Sequence, residues 1–234
     1  GGFGITGLRE RVALLNGSVT DGLIVVTPHA SSFRNTYPLV AVDPQSEDAD
    51  FACVLATNFH GVEAAMQHLF ELGHHRIGFI GGRPDLQSSN RRREGYCHSL
   101  ASHGLAVDES LIRVGNFERI AARECALELL QLQPRVTAIV AANDEMAFGV
   151  YDAAREINLR IPDDLSVIGF DNVPEAGLVE PALTTVDQAI ERMGAIAAEV
   201  VIKLIAGEKP EQLVHKVPTR LVVRQSCRPV GSTS

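Results

Sequence analysis

The stretch from Ala138 to Asn172, AIVAANDEMAFGVYDAAREINLRIPDDLSVIGFDN, most restricts what this chain can become. It opens on an apolar run, turns polar at Asn143-Asp144, passes through a helical pattern, and returns to an apolar run that ends at Asp171. Asn143 and Asp144 are suited to the free N–H groups of a helix start, where the dipole also favours a carboxylate. Met146, Val150, Ala153, Ala154 and Ile157 then recur at helical spacing and give one apolar face. Asn158 suits the left-handed residue that closes a helix, and Pro162 bars continuation. Leu165 to Phe170 reads as a strand. In open parallel sheets ligands bind outside the carboxyl ends of the strands. The polar residues at 143–144 and 171–172 sit at two such ends, which makes them the first candidates for a small-molecule site.

The same alternation extends through most of the chain. Leu23 to Val26 reads as a buried strand closed by Pro28, and Leu39 to Val42 as a second strand ending at Asp43. Residues 44–50 are acidic and irregular, and 29–37 form a polar loop or short helix. Asn58 to Leu72 is amphipathic through Val62, Ala65, Met66 and Leu69, and Gly73 stops it. Ile77 to Ile80 is a strand; Arg91 to His103 is a helix that packs through Tyr96 and Leu100. Ile112 to Val114 leads to Asn116-Phe117, Ala121 to Leu132 is helical, and Ala138 to Ala142 is the strand that delivers Asn143. Thr184 to Val186, a long helix over 188–206 with an Ile190, Met193, Ala197, Val200, Leu204 stripe, and Leu221 to Val223 complete the pattern. Before residue 20 only Leu8 to Leu15 suggests a helix fragment. Alternating strands and helices imply an α/β protein with parallel sheets and right-handed crossovers.

Composition narrows the function. The chain has 234 residues, enough for one large domain or two lobes. Trp is absent and aromatics are 5%, so aliphatic residues must fill the interior, as suits parallel sheets covered by helices. A net charge of −8 argues against this chain binding nucleic acid by itself, which needs a basic face. No apolar run reaches the roughly 18–20 residues that span a bilayer, so no membrane association is expected. No signal peptide is visible, which points to a cytoplasmic location. Cys53, Cys97, Cys125 and Cys227 form no CxxC pair and read as free thiols.

Motifs of common chemistries are missing. Gly78-Phe79-Ile80-Gly81-Gly82 does not have GxGxxG spacing, so these glycines read as a turn after a strand. His68, His74 and His75 point in different directions around a helix end and lack ligand spacing, so no metal is expected. There is no GxSxG elbow, HExxH or Walker loop, hence no expected catalysis and no cofactor. Arg91-Arg92-Arg93 opens a helix where the dipole disfavours cations, at the same sheet edge as Asn143 and Asp171. A guanidinium beside a carboxylate can bracket a polyhydroxylated ligand, one donating and the other accepting. Phe117, also at a strand end, is available to stack on a ring or to pack in the core.

The runs FELGHHRIGFIGG (70–82), RRREGY (91–96), the 138–172 segment quoted above and EPALTTVDQ (180–188) resemble the ligand-binding core of the lactose-repressor (LacI/GalR) family of bacterial transcription regulators. The resemblance covers residues 20–228 in order. It implies a two-lobed, periplasmic-binding-protein-like fold of parallel sheets flanked by helices, with effector between the lobes. The N-terminal lobe would be 1–56 plus 188–208 and the C-terminal lobe 57–187 plus 213–228, with 229–234 as a tail. Arg92, three residues before Gly95, matches the family's effector-clamping arginine, and Asp171 the carboxylate that accepts from ligand hydroxyls. Asn143 matches a cleft-lining polar residue, Phe117 a common aromatic position, Asp43 a strand-end acid of the first lobe, and Ser88 a weaker contact four residues ahead of Arg92. Asp144 reads chiefly as a helix-capping acid.

Two departures from the family pattern stand out. No helix-turn-helix headpiece or hinge helix is legible, so operator DNA would be reached only through a headpiece missing from this chain. The first strand, first helix and second strand of the N-terminal lobe have no clear counterpart before Leu8, so that lobe reads as incomplete. The resemblance implies a non-enzymatic effector-sensing and dimerisation core of a sugar-responsive regulator, a homodimer with a small hydroxylated effector. The alternative on the same fold is a periplasmic sugar-binding protein of a transport system.

Overall fold

The computed structural model describes residues 21–28, 37–46 and 51–231. The expected helix at 8–15, the loop over 29–36 and the end of the acidic stretch lie outside them. In chain order the elements are β1 (Leu23–Val26), β2 (Leu39–Val42), β3 (Ala52–Ala56), α1 (Asn58–Glu71), β4 (Ile77–Gly81), α2 (Gln87–Ser102), β5 (Ile112–Val114), α3 (Arg119–Gln131), β6 (Ala138–Ala141), α4 (Asp144–Glu156), β7 (Ser166–Asp171), β8 (Thr184–Asp187), α5 (Ile190–Ile205), β9 (Val214–Val217) and β10 (Arg220–Val222). They form two compact units, residues 1–56 with 190–217 and residues 57–189 with 218–234.

The first unit contains a parallel sheet in the order β1-β2-β3-β9, with α5 packed on it. Helix α5 buries Met193, Ala197 and Val200 of the expected stripe, together with Val201, whereas Ile190 is exposed. The helix begins only after the left-handed Ala189, which leaves Ile190 in its first turn. Two strands escape the sequence pattern. Ala52–Ala56 is buried at every position and so shows no alternation, and such a short apolar run has no diagnostic period. Val214–Val217 pairs with β3 from Cys53 to Ala56. This corrects the expected boundary at 213, because the chain completes the first sheet before it crosses to the second unit. Strand β1 is not fully buried: among the described residues it is the outermost strand of its sheet, with Ile24 and Val26 exposed and only alternate side chains facing inward.

The second unit is built on a six-stranded sheet, β10-β8-β7-β6-β4-β5. Its strands are parallel except β10, which runs antiparallel to β8. Helices α1 and α2 pack on each other, as do α3 and α4. A continuous core joins Val62, Met66 and Leu69 of α1 to Phe79 and Ile80 of β4, Val140 of β6, Met146 of α4 and Ile168 of β7. These are the apolar faces that helical spacing and buried strands require. Residues 229–231, expected as part of a tail, are anchored, since the Val230 N–H bonds the Leu72 carbonyl at 2.9 Å. Buried His74 bonds the Thr137 hydroxyl and, through Nε2, the Arg228 carbonyl, with its pKa lowered chiefly by burial. A neutral ring that donates from Nε2 fits that pair of partners. Among the described residues no helix is long and apolar enough to cross a membrane.

Helix α2 starts at Gln87, one turn earlier than Arg91. Gln87-Ser88-Ser89-Asn90 has little helix propensity and carries no apolar periodicity, which hid the first turn. The arginines therefore occupy the second turn, where the opposition of the helix dipole is weaker.

Candidate functional site

The carboxyl ends of the parallel strands in the second unit deliver Gly82 after β4, Asn116-Phe117 after β5, Asn143 after β6, Asp171 at the end of β7 and Gln188 after β8. Gly82, Asn143 and Asp171 come from strands buried in the core, whereas β5 (Ile-Arg-Val) and β8 (Thr-Thr-Val-Asp) are partly polar, and together the five strands gather polar and aromatic side chains on one edge of the sheet.

Arg92 organises this edge from α2. It is 4% exposed, and its guanidinium lies 3.7 Å from the centre of the Phe170 ring and 5.9 Å from that of Phe117. Nε donates to Asn58 Oδ1 at 2.8 Å, and one terminal nitrogen donates to the Ala142 carbonyl. The remaining two bonds are long: 3.4 Å to Asp171 Oδ1 and 3.4 Å to Gln188 Oε1. A buried cation requires such partners, and the two long bonds are the ones a ligand oxygen can replace at least cost, since they lie beyond normal hydrogen-bond distance. Asp171 Oδ1 accepts a short bond from Gln188 Nε2 at 2.7 Å. Gln188 thus donates through its amide nitrogen to the carboxylate and accepts through its oxygen from the arginine.

Asn143 caps α4, its Oδ1 accepting from the Met146 N–H at 2.9 Å. The side chain's Nδ2 donor has no recorded partner among the described residues. Phe117 holds a left-handed φ of 65°. A Cβ on Gly82 would fall inside the Phe117 ring, so this glycine makes the space the ring occupies. Ser88 is buried in the first turn of α2, one turn ahead of Arg92. Asp43 stands apart: it ends β2 in the first unit with φ 53°, its N–H bonded to the Val54 carbonyl at 2.9 Å.

The expected helix-capping role of Asp144 is filled by Asn143, and the Asp144 carboxyl turns instead to Thr185 and the 171–173 turn. Asp144 is fully buried, accepts from the Thr185 hydroxyl at 2.5 Å and from the Val173 N–H at 2.9 Å, and its carboxyl is pushed up to about 7 by burial, against the opposing pull of those bonds. Asn58, Phe170 and Gln188 are the participants that sequence reasoning does not single out as site residues, and Asp144, among the first strand-end candidates, is reduced there to a helix-capping acid. For Gln188 the missed signal was simple, a polar residue directly after a strand.

A cavity of about 470 Å³ opens beside Asn143 and Asp171, with Arg119, Phe148, Tyr151 and Glu175 among its other walls. Arg92, Phe117 and Ser88 do not line it. Its Arg119 is already committed to Asp152 by two bonds of 2.7 and 2.9 Å. The replaceable donors and acceptors are at Arg92, so the strand-end edge is the better candidate for ligand recognition. Among the described residues no group of three or more His, Cys, Asp or Glu side chains is arranged to hold a metal ion.

Parallel sheets presenting arginine, amide and carboxylate groups at their strand ends define a ligand-binding protein of the periplasmic-binding-protein-like class. A family model for the periplasmic-binding-protein-like domain matches residues 66–227. The HTH-type transcriptional repressor PurR of Proteus mirabilis is 33% identical over 226 residues, covering 93% of this chain and 66% of that protein. The lactose operon repressor of Klebsiella pneumoniae is 36% identical over 234 residues, covering 96% and 64%. The chain thus spans just under two thirds of the length of these curated relatives. Among solved structures, the transcriptional regulator CelR–cellobiose complex superposes with a TM-score of 0.85 at 31% identity, over 93% of this chain and 69% of that one. A regulatory protein of the LacI family from Chloroflexus aggregans gives 0.86 at 28%, over 97% and 84%. This chain belongs to the LacI family of transcription regulators and comprises its effector-binding domain.

Proposed function

We propose that this chain senses a small hydroxylated effector, a neutral sugar, and that binding at the Arg92–Asp171 edge governs the operator affinity of the regulator. The observation that carries the reading is the buried guanidinium held over Phe170, with two long, exchangeable bonds to Asp171 and Gln188. Asp171 would accept from sugar hydroxyls, Arg92 and Asn143 Nδ2 would donate to sugar oxygens, and Phe117 would supply an apolar face. Sugars present both donors and acceptors, which matches such a mixed edge. No lysine cluster adjoins the edge, which favours a neutral ligand over a phosphorylated one. Ser88 is a further proposed contact on this edge, and Asp43 is a proposed ligand group of the first unit by itself. Similar regulators solved with sugars, the CelR–cellobiose complex and a LacI family regulator from Enterococcus faecium with bound ribose, support the ligand class.

The regulator reading carries further proposals: a homodimer, a cytoplasmic location, no catalytic role, and operator contact made by a separate headpiece. Ligand can shift operator affinity only through unequal affinity for two conformations of the chain.

A thermal-shift screen of mono- and disaccharides and purine bases against the wild type, Arg92→Ala and Asp171→Ala tests the reading. A sugar should raise the melting temperature of the wild type, and both variants should lose that rise. Stabilisation by a sugar that persists undiminished in Arg92→Ala overturns the clamp, and stabilisation by a purine but by no sugar overturns the ligand class.

A further inference from the structure

Asp171, the carboxylate assigned to ligand hydroxyls, sits in unusual backbone. Its φ is 113° and that of Asn172 is 61°, both in the region that L-residues rarely adopt. Such a turn persists only when its surroundings fix it. From one side Arg224 donates to Asn172 Oδ1 and to the Leu183 carbonyl, each at 2.7 Å. From the other side the Asp144 carboxylate receives the Val173 N–H and that of Asn172. Asp144 occupies this place because Gly169 has no side chain, since a Cβ there would collide with Asp144 Oδ1. Thr185, paired with Gly169 across β7 and β8, supplies the buried hydroxyl that meets the same oxygen. The Gly169–Thr185 pair is therefore a seat for the carboxylate, and the turn is hung on it.

We propose that Asp144 is a positioning residue for the Asp171 carboxylate, and that the charge on Asp144 is transmitted to Asp171 through the 171–173 turn. Ionised, Asp144 accepts from two backbone N–H groups and one hydroxyl. Protonated, one oxygen becomes a donor, the Thr185 hydroxyl must reverse, and the grip on the turn loosens. Among the described residues, the titratable and charged groups around it and its turn include Asp171 at the end of β7, Tyr151 farther along α4, Arg92 of α2, which bonds Asp171 rather than Asp144, and Arg224, which bonds Asn172 and the Leu183 carbonyl. Burial holds the carboxyl near neutrality, so both charge states are populated at ordinary pH and effector affinity inherits that dependence.

This inference rests on reading Asp171 as a ligand group, and its test is ligand-free so that the two can fail separately. In protein labelled at the aspartate carboxyl carbons, the Asp171 resonance, assigned with Asp171→Asn, is followed from pH 5 to 9 in the wild type, Asp144→Asn and Thr185→Val. The wild type should show an inflection near neutrality at Asp171 that Asp144→Asn abolishes and Thr185→Val displaces. Exchange of the Val173 amide provides the second readout: protection should fall about tenfold in Asp144→Ala and stay within about threefold in Asp144→Asn, whose amide keeps one acceptor and one donor in the seat. An Asp171 inflection that persists in Asp144→Asn overturns the proposal. So does Val173 protection unchanged by Asp144→Ala. If the alanine variant does not fold, the asparagine and valine variants still decide the matter, and loss of sugar binding in Asp171→Ala is judged in the separate melting experiment.

Discussion

Arg92 and Arg119 both meet an aspartate and an aromatic ring in the second unit, and they do so in opposite ways. Arg119 grips Asp152 with two short bonds of 2.7 and 2.9 Å and lies 5.9 Å from the Phe148 ring, with half its side chain in solvent. Arg92 is 4% exposed, lies 3.7 Å over Phe170, and reaches Asp171 only at 3.4 Å. Judged by ion-pair geometry alone, Arg119 is the better-made site. Short bidentate bonds at an exposed position, however, describe a satisfied surface pair whose net worth is small. Loose bonds around a buried cation describe groups held in place by other contacts and available for exchange. Burial together with long bonds to the strand-end groups, rather than short distance, is what supports the proposed role of Arg92.

The largest expected effect is at Arg92. Removing the guanidinium in Arg92→Ala strands the Ala142 carbonyl and Asn58 Oδ1, uncovers Phe170, and deprives Asp171 of its cation. Leaving buried partners unpaired costs about 3 kcal/mol, and urea unfolding should show it as a lower midpoint at unchanged slope. Arg92→Lys should not restore the wild-type value, because an ammonium cannot lie flat on Phe170 while bonding several acceptors. Recovery by lysine would reduce the site to a simple charge pair, of the kind Arg119 makes.

The next effect concerns pH. The Asp144 carboxyl is raised from 3.8 to about 7, so the folded chain binds this proton more tightly than the unfolded chain. The associated stability is therefore fully present below about pH 4 and is lost as pH rises through about 7. Urea midpoints of the wild type and Asp144→Asn, compared between pH 4 and 8, isolate it from the opposite slopes of depressed surface carboxylates. The variant should lose the decline. Equal pH dependence in both proteins would show that the Asp144 seat is as well solvated as an exposed pair.

A smaller effect is expected at Gly82, which makes room for the Phe117 ring. In Gly82→Ala the ring must move, and because it is only half-buried it can do so, so stability should fall by about 1–2 kcal/mol while any sugar-induced thermal shift falls more sharply. A parallel loss of both would mean that Phe117 serves packing alone.

The contrast between the two arginines also explains what could be read from the chain. Asn143 and Asp171 were legible because each follows an apolar strand, and Arg92 because its spacing to Gly95 matches a family pattern. Asn58 and Gln188 lie 34 and 96 residues from Arg92, and nothing local ties them to it. Asp144 was discounted because an acid after Asn143 is an ordinary helix-start signal, and complete burial between Gly169 and Thr185 is a tertiary fact. In the fold, helices with strong apolar periodicity were placed to within a few residues. The errors fell where periodicity vanishes: β3 and β9, and the Gln87–Asn90 turn of α2, which is polar throughout. Tyr96 and Leu100 mark the buried face of that helix only after the turn has passed.

The smallest effect closes the comparison from the other side. Arg119→Ala breaks two hydrogen bonds to Asp152 and one distant contact with Phe148, a larger count of short bonds than Arg92 makes with its own aspartate. Asp152 is held below the usual carboxylate range mainly by the hydrogen bond from Arg119, so the stability this pair contributes is present above about pH 4 and is lost as pH falls through the depressed value. Solvent screening should nevertheless keep the change at pH 7 to within about 1 kcal/mol, shrinking further in high salt. Any sugar-induced thermal shift should be unaltered. A loss at Arg119 as large as that at Arg92, in stability or in the ligand response, would move the functional assignment from the strand-end edge to the 470 Å³ cavity that Arg119 lines.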